Sequence, residues 1–93
     1  MALNIKVLGP GCINCERVSQ VVVATLEELE AELGDDCPEA TLQHVTDFAE
    51  FVRYGLMFTP GLVVNEKLVC AGRIPTQAEV RQWLTSAVAE IEA

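Results

Sequence analysis

The sequence predicts a three-layer α/β/α sandwich built on a four-stranded mixed sheet, in the order β-α-β-α-β-β-α. Three observations carry this. An alternating apolar run near the N-terminus passes through Gly9-Pro10-Gly11 into a long helical stripe, and a second strand follows, which makes a βαβ unit with two parallel strands. Two later apolar runs are separated only by Asn65 and Glu66, so they form an antiparallel hairpin. Three helical patterns need more cover than one face of a small sheet provides, so helices lie on both faces.

Each element has a local cause. Leu3, Ile5 and Val7 alternate with Asn4 and Lys6 to give the first strand. Cys15, Val18, Val22, Leu26, Leu29 and Leu33 recur at three- and four-residue steps, which predicts a helix from about Cys12 to Leu33. Gly34 stops it, and Asp35-Asp36-Cys37-Pro38-Glu39 forms a polar loop. The second strand is expected over Thr41–Val45. Asp47 and Glu50 then form a capping box for a short helix that buries Phe48, Phe51 and Val52 and ends at Gly55.

After Thr59-Pro60, Gly61–Val64 and Lys67–Ala71 are the hairpin strands. A two-residue turn of type I′ needs positive φ at both positions, which suits Asn65 and not Glu66. Glu66→Gly is therefore expected to stabilise the chain by up to about 1 kcal/mol. Thr76 and Glu79 box the start of the last helix, whose Val80, Trp83, Leu84, Ala87, Val88 and Ile91 face inward. Phe48, Phe51, Tyr54, Phe58 and Trp83 are core candidates, and Met57 with Phe58 is also placed to rim an apolar landing surface.

Ninety-three residues, 51% hydrophobic and 22% charged, suffice for one domain over residues 1–93 with a modest core. A net charge of −8 with six Lys and Arg argues against nucleic acid, because phosphate binding runs on basic side chains. No basic stripe suggests a membrane surface. Met1 to Lys6 lacks a charged segment followed by a sustained apolar one, and no apolar run approaches a membrane span, so a cytoplasmic location is expected.

The chemistry gathers at Gly9-Pro10-Gly11-Cys12-Ile13-Asn14-Cys15. Two cysteines three apart at a helix start lie roughly 5–6 Å apart at Cα, inside the disulfide window. Unsatisfied N–H groups and the positive end of the helix dipole favour a thiolate there, which reads as a redox-active dithiol.

The strand ending in CxxC, the element order and the Thr-Pro before the third strand resemble the thioredoxin fold. Within it, the chain is similar to the small, glutaredoxin-sized redox-active disulfide proteins. The matching blocks are Lys6-Val7-Leu8-Gly9-Pro10-Gly11-Cys12-Ile13-Asn14-Cys15, then Phe51-Val52-Arg53-Tyr54-Gly55-Leu56-Met57-Phe58-Thr59-Pro60, then Ala71-Gly72-Arg73-Ile74-Pro75. The resemblance implies that Cys12 attacks a partner disulfide and Cys15 resolves the mixed disulfide. It also implies a cis Pro60 opposite the dithiol, with Gly11, Ile13, Asn14, Thr59 and Pro60 against substrate. The Thr59 backbone would pair with an extended chain.

No cofactor or resident metal is implied. The partners would be disulfide-containing proteins and a protein reductase, and the chain a monomer. Where thioredoxin has a buried aspartate in the first strand, this chain has Lys6. Gly72-Arg73-Ile74-Pro75 replaces the glutaredoxin Gly-Gly and acidic residue, which argues against glutathione as reductant.

Two other readings keep the same residues. A copper or zinc carrier also holds CxxC between a strand and a helix, but such domains lack a helix between strands two and three. A thioredoxin-like adaptor would bind partners and merely retain the dithiol. Cys37 and Cys70 lie too far apart in sequence for the paired spacing of a four-thiolate zinc site. Acidic neighbours should leave Cys37 inert, Cys70 should be a small buried hydrophobe, and His44 a solvated strand residue.

Overall fold

The computed structural model describes residues 2–10, 13–37 and 39–92. Strand β1 (Ala2–Leu8) leads into helix α1 (Ile13–Leu33), a 3₁₀ turn (Gly34–Asp36) and strand β2 (Glu39–Val45). Helix α2 (Phe48–Arg53), strands β3 (Gly61–Val64) and β4 (Lys67–Ala71), and helix α3 (Gln77–Glu92) complete the order. The sheet runs β2-β1-β3-β4, with β1 and β2 parallel and the other pairs antiparallel. This is the mixed four-stranded α/β arrangement the sequence predicts. Among the described residues, no helix is long and apolar enough to cross a membrane.

Alternation along β1 divides two cores. Leu3, Ile5 and Val7 join Val18, Val22 and Leu29 of α1 and Val80, Leu84, Ala87 and Val88 of α3 on one face. Leu8 and Val63 meet Phe51 of α2 on the other, with Val45, Tyr54, Leu56 and Leu68 packed around them. Side chains of a strand point alternately to opposite faces, so neighbours in one short sequence serve different layers. Trp83 and Leu26 lie half-buried at the margin of the larger core.

Some boundaries differ from expectation. β1 extends to Leu8 and β2 begins at Glu39, because the parallel ladder pairs Ala2 with Glu39 through to Leu8 with Val45. Residues as polar as Glu39, Gln43 and His44 are accommodated because β2 is an edge strand with solvent-exposed positions.

The larger correction is α2. Only Phe51 is buried, whereas Phe48 is 75% and Val52 62% exposed, and Phe58 is 69% exposed. A helix of six residues makes less than two turns, so one apolar side chain fills its contact with the sheet. Its cap also differs. Asp47 accepts from Ala49 N at 2.9 Å, but the Glu50 carboxylate turns to Arg53 at 3.0 Å and not back to Asp47.

The hairpin turn has φ of 48° at Asn65 and 69° at Glu66, the two positive values a type I′ turn demands. The reason for a glutamate in that position lies in its side chain. Tyr54 donates to it at 2.6 Å and Arg53 at 3.3 Å, while Lys6 donates to Tyr54 at 3.0 Å. These bonds tie β1, α2 and the hairpin together and hold the Glu66 carboxyl below its ordinary range, the Tyr54 hydrogen bond first among the causes. Removing the side chain loses them, which offsets the backbone gain expected from Glu66→Gly.

The start of α3 follows the sequence closely. Glu79 N donates to Thr76 Oγ1 at 3.2 Å, and Thr76 N donates back to Glu79 Oε1 at 3.2 Å. Arg73 also grips Glu79 through two bonds of 2.9 and 2.6 Å. Arg73 is the chief reason the carboxyl is lowered from 4.5 to about 2, with the Thr76 N–H next. A lowered carboxyl stabilises the fold above its unfolded value and loses that contribution as pH falls through its folded one. Glu79→Gln is thus expected to lower Tm at pH 7, with the gap to wild type closing between pH 4.5 and about 2 in thermal melts.

Candidate active site

One pole of the sheet collects the residues the sequence marks. Leu8 pairs with Val45 and with Gly61, and Gly61 pairs with Ala71, so the ends of all four strands meet there. The connections that leave this pole are Gly9-Pro10 toward α1, Thr46-Asp47 toward α2, the Thr59-Pro60 approach to β3, and Gly72-Arg73 toward α3.

Gly9 is the hub. Its N–H donates to Val45 O at 3.0 Å, which clips the β1 exit to the β2 exit. A Cβ on Gly9 would fall under 3.0 Å from Cys15 Sγ, 3.5 Å from Cys15 Cβ and 3.8 Å from Thr59 Cβ. Glycine is therefore required by close approach, and its bare Cα surface seats the second cysteine. Cys15 and Thr59 therefore both approach the face of Gly9 from which a side chain would project.

Cys15 is the third residue of α1 and is fully buried in the larger core beside Val7, Val18 and Leu62. It lies there because position 15 belongs to the same stripe as Val18 and Val22. Ile13 and Asn14, on the outer side of the same turn, are exposed, Ile13 by 64%. Gly11 and Cys12 lie outside the described residues.

The Thr59–Pro60 peptide bond is cis. Pro60 is buried and Thr59 exposed. Pro60 O accepts from Gly72 N at 2.9 Å, and Gly72, at φ 77°, lies so close to Phe58 that a Cβ would meet Phe58 Cβ at 3.0 Å. Gly61 leaves room for Leu56, whose Cδ1 would lie 2.5 Å from a Cβ there. Thr59 and Pro60 are thus seated by close contacts on both flanks. The spacing of motifs did not reveal Gly9, Gly61 and Gly72; the signal was present only as glycine in or beside a strand.

The remaining candidates separate from this pole. Lys6 faces α2 and bonds Tyr54, on the opposite side of the sheet from the core holding Cys15, so it does not replace the aspartate of the resembling family. Cys70 is buried and donates weakly to Arg73 O at 3.7 Å, and burial above all pushes its thiol up. Cys37 is half-buried, and burial, then Glu30, pushes its thiol up. His44 is exposed on the edge strand.

Comparison with known proteins agrees with the geometry. A family model described as a thioredoxin domain matches residues 3–85. A protein named thioredoxin from Methanothermobacter thermautotrophicus is 29% identical over 83 residues, covering 89% of this chain and 99% of its own. One of the same name from Methanocaldococcus jannaschii is 30% identical over 82 residues, covering 88% and 86%.

Proposed function

The chain belongs to the thioredoxin family, and on that premise we propose that it is a thiol–disulfide oxidoreductase acting on disulfides of partner proteins through Cys12 and Cys15. Family membership supports an oxidoreductase role in general. The observation that carries the finer reading is the seat of Cys15: fully buried on Gly9, with Thr59 of the cis Thr59–Pro60 peptide approaching the same face of that glycine. A resolving thiol needs shelter from solvent disulfides, and this seat offers it.

The electron count closes within the reading. The Cys12 thiolate attacks one sulfur of the partner disulfide, forms a mixed disulfide and releases the first partner thiolate. Cys15 gives that thiolate its proton and attacks Cys12, forming the Cys12–Cys15 bond and releasing the second partner sulfur, which takes a proton from water. The partner gains two electrons and this chain loses two, to be restored by a protein reductase. Attack at Cys12 is favoured by its place just ahead of α1, where helix N–H groups and the dipole stabilise a thiolate. Ile13, Asn14, Thr59, Pro60 and Gly11 are the residues assigned to substrate.

Helix α2 weighs against the soft-metal carrier, whose fold has no helix between its second and third strands. A redox titration tests the reading. A reversible two-electron midpoint near about −200 to −300 mV is expected. Tight stoichiometric Cu(I) or Zn(II) without disulfide turnover would favour the carrier, and neither result the adaptor.

A further inference from the structure

This inference rests on the redox reading above and concerns what else touches the substrate. Among the large apolar side chains left exposed, Ile13 and Phe48 open the helices that leave the dithiol pole, Met57 and Phe58 lie in the connection that returns to it, and Val52 follows Phe48 by one helical turn. Exposed apolar side chains gathered in one region mark a contact surface. Phe48 leaves the sheet three residues after Val45, whose carbonyl is bonded to Gly9 N, so α2 starts beside the turn that carries the cysteines.

Within α2, Phe48 and Val52 stand four apart and share a face, while Phe51 alone enters the core. The Phe48 ring meets buried Phe51 edge to face, with centroids 6.2 Å apart and planes at 63°. An exposed aromatic ring braced by a buried one loses little freedom on binding, which is what an interface anchor requires.

Charge selects the occupant. The chain carries 14 acidic residues and six basic ones. Ion pairs within the chain engage Lys6, Arg53, Lys67, Arg73 and Arg81, so among the described residues Arg17 is the one basic side chain outside them. At the pole the exposed Glu16 and Arg17 offset one another, and Asp47, exposed at the start of the strip, leaves the charge there acidic. An acidic segment is repelled here and a basic one attracted.

We propose that Phe48 and Val52 form an apolar strip that carries substrate contact from the dithiol pole along the outer face of α2. Its occupant is the stretch of the disulfide-bearing polypeptide next to its disulfide, with apolar side chains and basic flanks. A small disulfide does not reach the strip; a polypeptide does.

The test compares insulin with bis(2-hydroxyethyl) disulfide as substrates of the wild-type chain and of Phe48→Ser/Val52→Ser, with Val52→Ser alone as the milder variant. KM for insulin should rise about tenfold in the double variant and less in the single one, with kcat and turnover of the small disulfide unchanged. Of two synthetic disulfide peptides with Leu and Phe beside the bond, the lysine-flanked one should show the lower KM, and salt should narrow the difference. An insulin KM that stays within about twofold of wild type, or an equal loss on both substrates, overturns the strip. A glutamate-flanked peptide that binds as well as the lysine-flanked one overturns the assignment of its occupant. A wild-type chain that turns over neither disulfide overturns the redox reading itself, and the strip with it.

Discussion

Cys12→Ser is expected to eliminate disulfide reduction, and Cys15→Ser to leave the chain covalently joined to its partner. A serine hydroxyl is not ionised near neutral pH and forms no bond equivalent to a disulfide, so turnover should fall on the order of a hundredfold or more. Without Cys15 the first exchange still proceeds, but nothing inside the chain attacks the mixed disulfide, which then persists. Insulin reduction with dithiothreitol as electron source measures the first effect, and intact mass without reductant the second. The two remaining thiols do not rescue either variant. Cys70 is 8% exposed and Cys37 half-buried, and burial pushes both thiols up, away from the thiolate that attack requires. Full activity in Cys12→Ser would sink the assignment of the nucleophile.

Gly9→Ala should damage stability and chemistry together. The added methyl falls under 3.0 Å from Cys15 Sγ, and Cys15 is fully buried, so the sulfur has no open side to retreat to. Overpacking of this kind costs roughly 1–3 kcal/mol. For a domain of this length each kcal/mol shifts Tm by about 4–8 °C. A double-mutant cycle isolates the cause, because Cys15→Ala removes the sulfur and leaves only a contact of 3.5 Å to Cβ. Gly9→Ala should therefore cost less in the Cys15→Ala background, by about 0.5–3 kcal/mol. Equal cost in both backgrounds would mean that the methyl disturbs something other than this sulfur. Activity on small disulfides should fall in the single variant too, since the displaced sulfur is the resolving one.

Local chemistry was enough for much of the scaffold. The 3.6-residue stripe of α1 named Cys15, Val18, Val22 and Leu29, and all four are buried. The Thr76–Glu79 box and the Asn65-Glu66 turn formed because the residues that satisfy them are their immediate neighbours. The same reasoning failed at α2. Phe48, Phe51 and Val52 are equally apolar, and a pattern of six residues does not say which of three side chains the sheet has space to cover. That space was decided by Leu8 and Val63, which lie on strands distant in sequence from α2.

The site divides along the same line. The spacing of Cys12 and Cys15 at a helix start and the Thr-Pro before a strand were legible because they depend on neighbours a few residues away. That Cys15 and Thr59 both approach Gly9, that Lys6 bonds Tyr54 on the other face of the sheet, and that Glu66 belongs to a bonded cluster were not. Gly9 lies 50 residues from Thr59, Lys6 48 from Tyr54 and 60 from Glu66, and these meetings arise only when strand pairing assembles the sheet. The order of residues determined the elements and placed two cysteines three apart at a helix start. Packing across the sheet decided what each side chain faces, because contact distance is set by the assembled layers and not by separation along the chain.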